Sequence, residues 1–445
     1  MRQTDTGLLL ETTRPSTLPK KVIYILVRAR TSPKIVRWAF LLFVSTFPIE
    51  PIDLEAIRGV SSLARVAGLL FFSTCLLYPK VCFRRPPQAL WWFAGYVSVY
   101  GLSGFFIPEQ FVGRFIIGLQ TFIQLLALCW IGSTLLQEEN FARHTLLVFS
   151  IATLLTATGP LLGLPGFSAT WGGGRLSAVG FDPNGLAIMM ALGAQALIGF
   201  GIEQTRRNIW MRVTFMAMSL FPLTAMVYTG SRGGIAAFLI GAVLYALPYR
   251  RSKRKMIAIL GVTIAVVSII YAVVNDEATL SRFERSYDTG DTAGRDQIFA
   301  ASIEMISEKP LLGWRPVVLW YELGARTRSP FIIRDAHNLF LHLLLEVGLL
   351  GAMPFFIGLG LCVRAAWTAR VRSLGLLPLV WLITMIVANL SGTSLYSKLL
   401  WLTLILSLAS GASTVKQYKR KNLMIRTILQ HVYKRNINHT TEIRP

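Results

Sequence analysis

Acid, histidine and cysteine are all scarce in this 445-residue chain, which has 22 Asp and Glu against 45 Lys and Arg, five His and four Cys. Each shortage removes a class of function. Cys75 and Cys129 fall inside apolar stretches, and Cys82 and Cys362 near their inner ends. No CxxC pair exists and none of the four lies in a segment expected outside, so neither a disulfide framework nor a cysteine metal cluster is expected. The acidic residues Asp276, Glu277, Asp288 and Asp291 are scattered rather than spaced as ligands. HExxH, the nucleophile elbow and the Walker loop are absent, and Gly172-Gly173-Gly174 lacks phosphate-loop spacing. Polar surface is short too: charged residues make up 15% and hydrophobic ones 53%, which excludes a soluble multidomain protein.

What fills the chain instead is apolar sequence. A membrane span needs roughly 20 such residues, and about twelve stretches qualify by that measure, the first short and the last two nearly abutting. The expected fold is an all-α polytopic membrane protein with about twelve transmembrane helices and one large, partly helical external loop. The organisation is a basic tail over residues 1–34, nine helices within 35–274, the loop over 275–337, three helices within 338–413 and a second basic tail over 414–445. Neither an internal repeat nor a coiled coil appears.

The surplus of basic residues would suit a nucleic acid, but its distribution answers a different need. With both termini inside and the stretches alternating, roughly two thirds of the Lys and Arg fall on the inner side, the bias that sets membrane orientation. The loops Tyr249-Arg250-Arg251-Ser252-Lys253-Arg254-Lys255 and Glu203-Gln204-Thr205-Arg206-Arg207 show it most plainly. The expected partners of this charge are anionic lipid headgroups, with no nucleic acid. The first 34 residues have no short apolar core ending in a small-residue site, so the first apolar stretch is expected to direct insertion.

Three external segments interrupt the short loops. The first, residues 165–184, is glycine-rich and carries one cation, Arg175; the second is the tight link Tyr228-Thr229-Gly230-Ser231-Arg232-Gly233-Gly234. The third is the 275–337 loop. In it Asp291-Thr292 is positioned to cap a helix running from about Ala293 to Lys309 and stopped by Pro310. Phe299, Ile303 and Ile306 recur at helical spacing and give that helix an apolar face for the membrane or the bundle. Trp314, Trp320 and Tyr321 suit headgroup depth. The loop ends on His337, the one histidine expected outside, in Asp335-Ala336-His337-Asn338-Leu339-Phe340.

Arg175 and Arg232 stand at outer helix ends beside glycines, Arg295 opens the loop helix, and Arg334 precedes His337 by three residues. Guanidinium is permanently charged and offers phosphate a rigid fork of donors. One such residue is as well explained by snorkelling or an ion pair, but several in glycine-bearing loops on one side point to an anion. Arg282, Arg285, Arg326 and Arg328 lack that context and are assigned ordinary surface roles. His337 suits a general base, since its reference pKa of about 6.5 leaves it largely neutral at pH 7. Nearby cations favour the neutral form further; a helix-entry cap is the alternative. Asn338 and Glu346 are supporting candidates. Glu346 lies in an apolar run, where a carboxylate is functional or paired, and an Arg of a neighbouring helix is its expected partner. His342 reads as buried packing.

Taken together, these pieces resemble the O-antigen ligase and O-antigen polymerase superfamily of bacterial inner-membrane glycosyltransferases. The resemblance rests on Arg175 with Phe181-Asp182-Pro183-Asn184, on Gly230-Ser231-Arg232-Gly233-Gly234, on Gly294-Arg295 leading to Pro310-Leu311-Leu312-Gly313, and on His337-Asn338-Leu339-Phe340 with Glu346-Val347-Gly348-Leu349-Leu350-Gly351. It covers roughly residues 170–360. It implies a GT-C-like helical membrane enzyme that needs no metal or other cofactor. Such an enzyme takes a glycan from an undecaprenyl-pyrophosphate carrier on the periplasmic face and passes it to an acceptor hydroxyl, on the lipid A core for a ligase or on a growing polysaccharide for a polymerase. His337 then corresponds to the catalytic histidine, Arg175 and Arg232 to pyrophosphate contacts, Arg295 to a recurrent Gly-Arg of less defined role, and Asn184 to a supporting position. A single displacement would invert the anomeric centre. The resemblance implies a bacterial inner-membrane location with cytoplasmic termini and a periplasmic active site.

Two readings from other classes stand beside this one. A transporter or flippase would also use many helices with an intramembrane Glu346, but it places polar groups near the midplane on broken helices, whereas here they gather at the outer rim. A non-catalytic assembly partner would tolerate replacement of His337.

Overall fold

Inside hydrocarbon a backbone has no water to bond, so an apolar run closes its hydrogen bonds internally as a helix. The computed structural model is helical accordingly. It describes residues 32–49, 63–164, 169–171, 174–177, 182–203, 208–245, 253–290, 292, 294–327, 333–370 and 374–415. Most of both basic tails (1–31 and 416–445), the inner-loop residues 204–207 and 246–252, and Phe181, Asp291 and Arg328 lie outside the described residues.

A helix lies over each apolar stretch. Among the described residues seven are long and apolar enough to cross a membrane: Glu109–Leu135, Glu139–Leu161, Pro183–Glu203, Ile209–Tyr228, Met256–Asn275, Leu339–Ala369 and Lys398–Val415. Leu63–Leu77, Arg232–Leu244 and Leu377–Ala388 are shorter apolar helices, and Lys34–Ile49 and Gln88–Ser103 have 16 residues each. The chain is thus a polytopic membrane protein of the all-α class, with one short hairpin among the described residues. Many large apolar side chains, such as Trp38, Leu69, Ile117 and Val267, are exposed on its surface, as a lipid solvent requires.

Pro183–Glu203 is buried on nearly every side from Leu186 to Ile202, so it is the central element. Small residues let its neighbours approach: a Cβ on Gly193 would lie 2.4 Å from Thr153 Cγ2, the close backbone packing that membrane helices use in place of a hydrophobic drive. Its Gln195 amide donates to Thr384 Oγ1 at 2.7 Å, and Trp381 Nε1 donates to the Leu192 carbonyl at 3.0 Å. Both contacts lock Leu377–Ala388 against it.

The long helix Leu339–Ala369 is broken at Gly348, whose φ of 63° and ψ of −171° leave the helical region. The turn after Pro310 fills the break. Trp314 N–H donates to the Leu345 carbonyl at 2.6 Å, and Leu349 and Leu350 N–H donate to the carbonyls of Pro310 and Leu311 at 2.8 and 3.2 Å. A Cβ on Gly313 would lie 2.5 Å from Gly348 N, and one on Gly348 2.3 Å from the Leu311 carbonyl. Both glycines have positive φ, so both positions exclude a side chain on two counts.

The described residues of 275–337 form three helices, Glu277–Thr289, Arg295–Glu308 and Val318–Arg326, where the sequence indicated one. The middle helix runs from Arg295 with Gly294, in the left-handed region, at its N-cap position; Thr292 Oγ1 donates to Asp296 Oδ1 at 2.5 Å and accepts from Asp296 N–H at 3.4 Å, and Asp291 and Ala293 of the expected helix start lie outside the described residues. Its inward face is set by Ile298, Ala301 and Met305, which pack with Trp314, Leu319, Leu323 and Leu345. Phe299 and Ile306 flank that cluster, and Ile303 points away at 61% exposure. Trp314 is buried in the protein rather than presented to headgroups. Its Nε1 donates to the Met305 carbonyl at 2.8 Å, and Lys309 and Arg326 stand over its ring.

Candidate active site

Asp182 Oδ1 accepts from the N–H groups of Asn184 and Gly185 at 2.8 and 3.2 Å, and Pro183 takes the first helical position. This is how an Asp-Pro pair starts a helix, and it fixes Asn184 in the first turn. Arg175 opens the second strand of a short antiparallel hairpin, Ala169–Trp171 with Arg175–Ser177. Its Nε donates to the Thr229 carbonyl at 2.7 Å and its Nη2 to Asn184 Oδ1 at 3.3 Å. Ser231 Oγ donates to the same Asn184 oxygen at 2.9 Å and accepts from Gly234 N–H at 3.2 Å, capping Arg232–Leu244. Arg232 thereby becomes the first helical residue. Gly230 has φ 61°, and a Cβ there would lie 3.2 Å from Arg282 Cδ and 3.6 Å from Arg175 Cγ. The Gly-Ser-Arg-Gly-Gly turn is therefore built to pass between two arginines.

The loop supplies the rest. Asp276 caps Glu277–Thr289 by accepting from Thr279 N–H at 3.0 Å, and Thr279 Oγ1 donates to the Val227 carbonyl at 3.0 Å. These bonds tie the helix to the outer end of Ile209–Tyr228 and bring Arg282 over Gly230. Arg232 Nη1 donates to the Arg282 carbonyl at 3.4 Å. Arg295 is the first residue of its own helix. His337 N–H donates to Asp335 Oδ2 at 3.2 Å, and Asn338 Oδ1 accepts from Phe340 and Leu341 N–H at 2.9 and 3.1 Å, capping the next helix. Between these two side-chain turns His337 is held at φ 48°, a left-handed conformation that costs a non-glycine residue about 1–3 kcal/mol and that surrounding structure must enforce.

Arg175, Asn184, Arg232, Gly233, Arg282, Arg295 and His337 line one cavity of about 160 Å³. Four guanidinium groups meet there, with no carboxylate among the described lining residues. Asn184, Arg232 and Arg295 stand in the first turns of three helices, and His337 just ahead of a fourth. Helix N-termini carry partial positive charge and favour an anion by about 0.3–1 kcal/mol each. Burial, with the charges of Arg282, Arg295 and Arg232 against the opposing pull of Asp182, brings the Arg175 guanidinium down to about 10, so it stays protonated at neutral pH. Arg295 is lowered by burial and then by Arg232 and Arg282. A pocket that strains its own cations calls for an anion carrying more than one charge.

Burial also holds the His337 imidazole below its ordinary 6.5. Asp335 pulls upward, and Arg295 and Arg334 push down. The ring is 40% exposed, and its Nδ1 lies 3.7 Å from Asp335 Oδ2. Behind it runs a line of polar groups into the bundle. Asp335 Oδ1 is 3.3 Å from His342 Nδ1, and His342 Nε2 is 3.6 Å from Glu346 Oε1. Glu346 accepts from Tyr96 Oη at 2.5 Å and from Tyr396 Oη at 3.0 Å. Burial works to raise Asp335, but its contact with the His342 ring and the charges of His342 and His337 outweigh it and leave the carboxyl at about 2.

The structure therefore brings Arg175, Arg232, Arg295 and His337 together, with Asn184 as the joint between Arg175 and Ser231. Asn338 caps the helix and donates to the Leu390 carbonyl at 3.1 Å. Arg334 acts on His337 through its charge and does not line the cavity. Glu346 pairs with tyrosines and His342, not with the expected arginine. Two residues were passed over in the sequence. Arg282, set aside with the surface arginines, lines the cavity. His342, read as packing, is the link between Asp335 and Glu346. The family model described as O-antigen ligase matches residues 217–356, the stretch that contains Arg232, Arg282, Arg295 and His337 and stops short of Arg175 and Asn184. The match, over less than a third of the chain, is in line with the resemblance in its motifs. No curated protein matches the chain.

Proposed function

We propose that this chain, a ligase-type glycosyltransferase of the membrane, transfers a glycan from undecaprenyl pyrophosphate to an acceptor hydroxyl on the periplasmic face, without a metal. The observation that carries this reading is the single cavity in which four guanidinium groups and one imidazole meet. Pyrophosphate is already a good leaving group, so the protein has to hold it, offset the charge that develops on it, and accept one proton. Arg175, Arg232, Arg282 and Arg295 supply preorganised positive potential where that charge appears. With Nδ1 turned to Asp335, Nε2 of His337 is the atom available to take the proton. A lone pair of the acceptor oxygen forms the new bond to the anomeric carbon as the bond to the phosphate oxygen breaks. The electron pair leaves on the pyrophosphate, and the configuration inverts.

A transporter reading gains nothing from the break at Gly348, since backbone of the Leu311–Gly313 turn fills that break. The test is transfer by the purified chain from an undecaprenyl-pyrophosphate glycan, with and without EDTA. His337→Ala is expected to lower the rate by about 10²–10⁴-fold, and EDTA to leave the wild type unchanged. A His337→Ala enzyme that keeps its rate, or a wild type that EDTA stops, contradicts the reading. A block of repeats appearing on lipid A core supports the ligase assignment, whereas lengthening of carrier-linked chains makes the enzyme a polymerase.

A further inference from the structure

A second cavity, of about 250 Å³, lies on the same rim between Phe47, the start of Pro183–Glu203 and residues 394–399. Its wall adjoins that of the arginine cavity at one point, and a short turn links the two at another. Asn184 lines the first and Gly185 the second, and consecutive Cα atoms are only about 3.8 Å apart. The turn after Leu377–Ala388 provides the other point. Its Asn389 and Leu390 carbonyls accept from Leu339 N–H at 2.9 Å and Asn338 Nδ2 at 3.1 Å. Ser391 abuts Gly233 so closely that a Cβ there would lie 2.4 Å from its Oγ. Three residues on, Ser394 lines the second cavity, and three residues of chain span at most about 10 Å. Tyr396, also in that lining, is one of the two tyrosines that donate to Glu346.

The linings differ in kind. Among the described lining residues the first holds four guanidinium groups and the second one ammonium, Lys398, placed over the Phe47 ring, with the hydroxyls of Ser394, Tyr396 and Ser397 and an apolar wall including Phe47 and Ile188. One cation is too little for a diphosphate. Hydroxyl donors and acceptors beside an apolar face suit a saccharide, whose ring presents both, and a single ammonium suits one phosphate or carboxylate on it. Transfer between two substrates requires two sites within bonding reach of one base.

Resting on the donor assignment above, we propose that the second cavity seats the acceptor: a saccharide head bearing at most one anionic group near Lys398, its attacking hydroxyl turned past Gly185 toward His337. The hydroxyl oxygen bonds to the anomeric carbon, its proton goes to His337, and the pyrophosphate departs on the arginines. The same chemistry is offered by the core of lipid A and by the sugar end of a polysaccharide repeat.

Direct binding to the full chain in nanodiscs tests this with three probes: core-bearing lipid A, a carrier-free repeat oligosaccharide, and undecaprenyl pyrophosphate. Lys398→Met and Ser394→Ala are expected to weaken one of the two saccharide probes at least tenfold, Lys398→Arg to restore most of that loss, and undecaprenyl pyrophosphate binding to stay within twofold. Whichever saccharide probe responds identifies the source. Wild type that binds neither saccharide probe, saccharide binding insensitive to both variants, or equal loss of undecaprenyl pyrophosphate binding would overturn the proposal. If Arg232→Ala leaves undecaprenyl pyrophosphate binding intact, the donor assignment fails by itself.

Discussion

His337 is asked to be a base in a field of cations, and the consequence is a pH profile. Its imidazole is held below the ordinary value by burial and by Arg295 and Arg334, with Asp335 pulling the other way. The neutral form therefore persists to lower pH than for a free histidine, and kcat/KM is expected to fall on the acid side only below about 6.5. Asp335→Asn removes the upward pull, so the acid limb moves to lower pH; Arg295→Gln removes a downward push, so it moves to higher pH. Opposite displacements of kcat/KM profiles check the assignment, and an acid limb that neither variant moves would show that another group titrates. Arg175, Arg232 and Arg295 were legible in sequence because glycines flank them or open their helices. Arg282 was not: it sits in a polar helix beside Arg285, and only the approach of that helix to Gly230 distinguishes the two. His342 was missed for a similar reason, since helical spacing turns it away from His337 and Asp335 reconnects them through space.

At the scale of elements, the site depends on a helix that is broken and mended. The Pro310–Gly313 turn occupies the gap at Gly348, and the first half of that helix, capped by Asn338 next to His337, carries His342 and Glu346. Gly313→Ala and Gly348→Ala each force a side chain into positive φ and into backbone atoms within 2.6 Å, and each is expected to destabilise the protein by roughly 1–3 kcal/mol or more. The four cysteines are free and buried, so a thiol-reactive dye reports unfolding. Melting curves should show both variants below wild type, with Gly360→Ala, whose Cβ meets no atom within 4 Å, close to it. Equal melting of all three would mean that the turn does not support the helix. The sequence carried both halves of this device as separate motifs; their pairing is a contact about 35 residues apart, which no local pattern encodes. The apolar face of Arg295–Glu308 was set by a similar long-range partner, Leu345, and so lay one residue away from the face its spacing suggested.

For the whole molecule, apolar runs of sufficient length dictated helices over each stretch, which is why the general architecture was readable. Where the short helices Leu63–Leu77, Arg232–Leu244 and Leu377–Ala388 sit in a bilayer depends on packing and charge rather than on length alone. The basic loops imply the side on which the arginine cavity opens. A cysteine introduced at Ser281, on the exposed face of a loop helix, is expected to react with an impermeant maleimide from outside intact cells, and one introduced at Ser252 only after permeabilisation; the reverse would invert the orientation. The proposed chemistry turns on the arginine cavity as a diphosphate site beside a base that does not bind it. Undecaprenyl pyrophosphate titrated into the nanodisc-embedded protein tests that most directly. Each charged hydrogen bond is worth about 1.5–3 kcal/mol, so Arg232→Gln and Arg282→Gln should each weaken binding by about ten- to hundredfold while His337→Ala leaves it within a few-fold. Equal affinity in wild type and both arginine variants would contradict it.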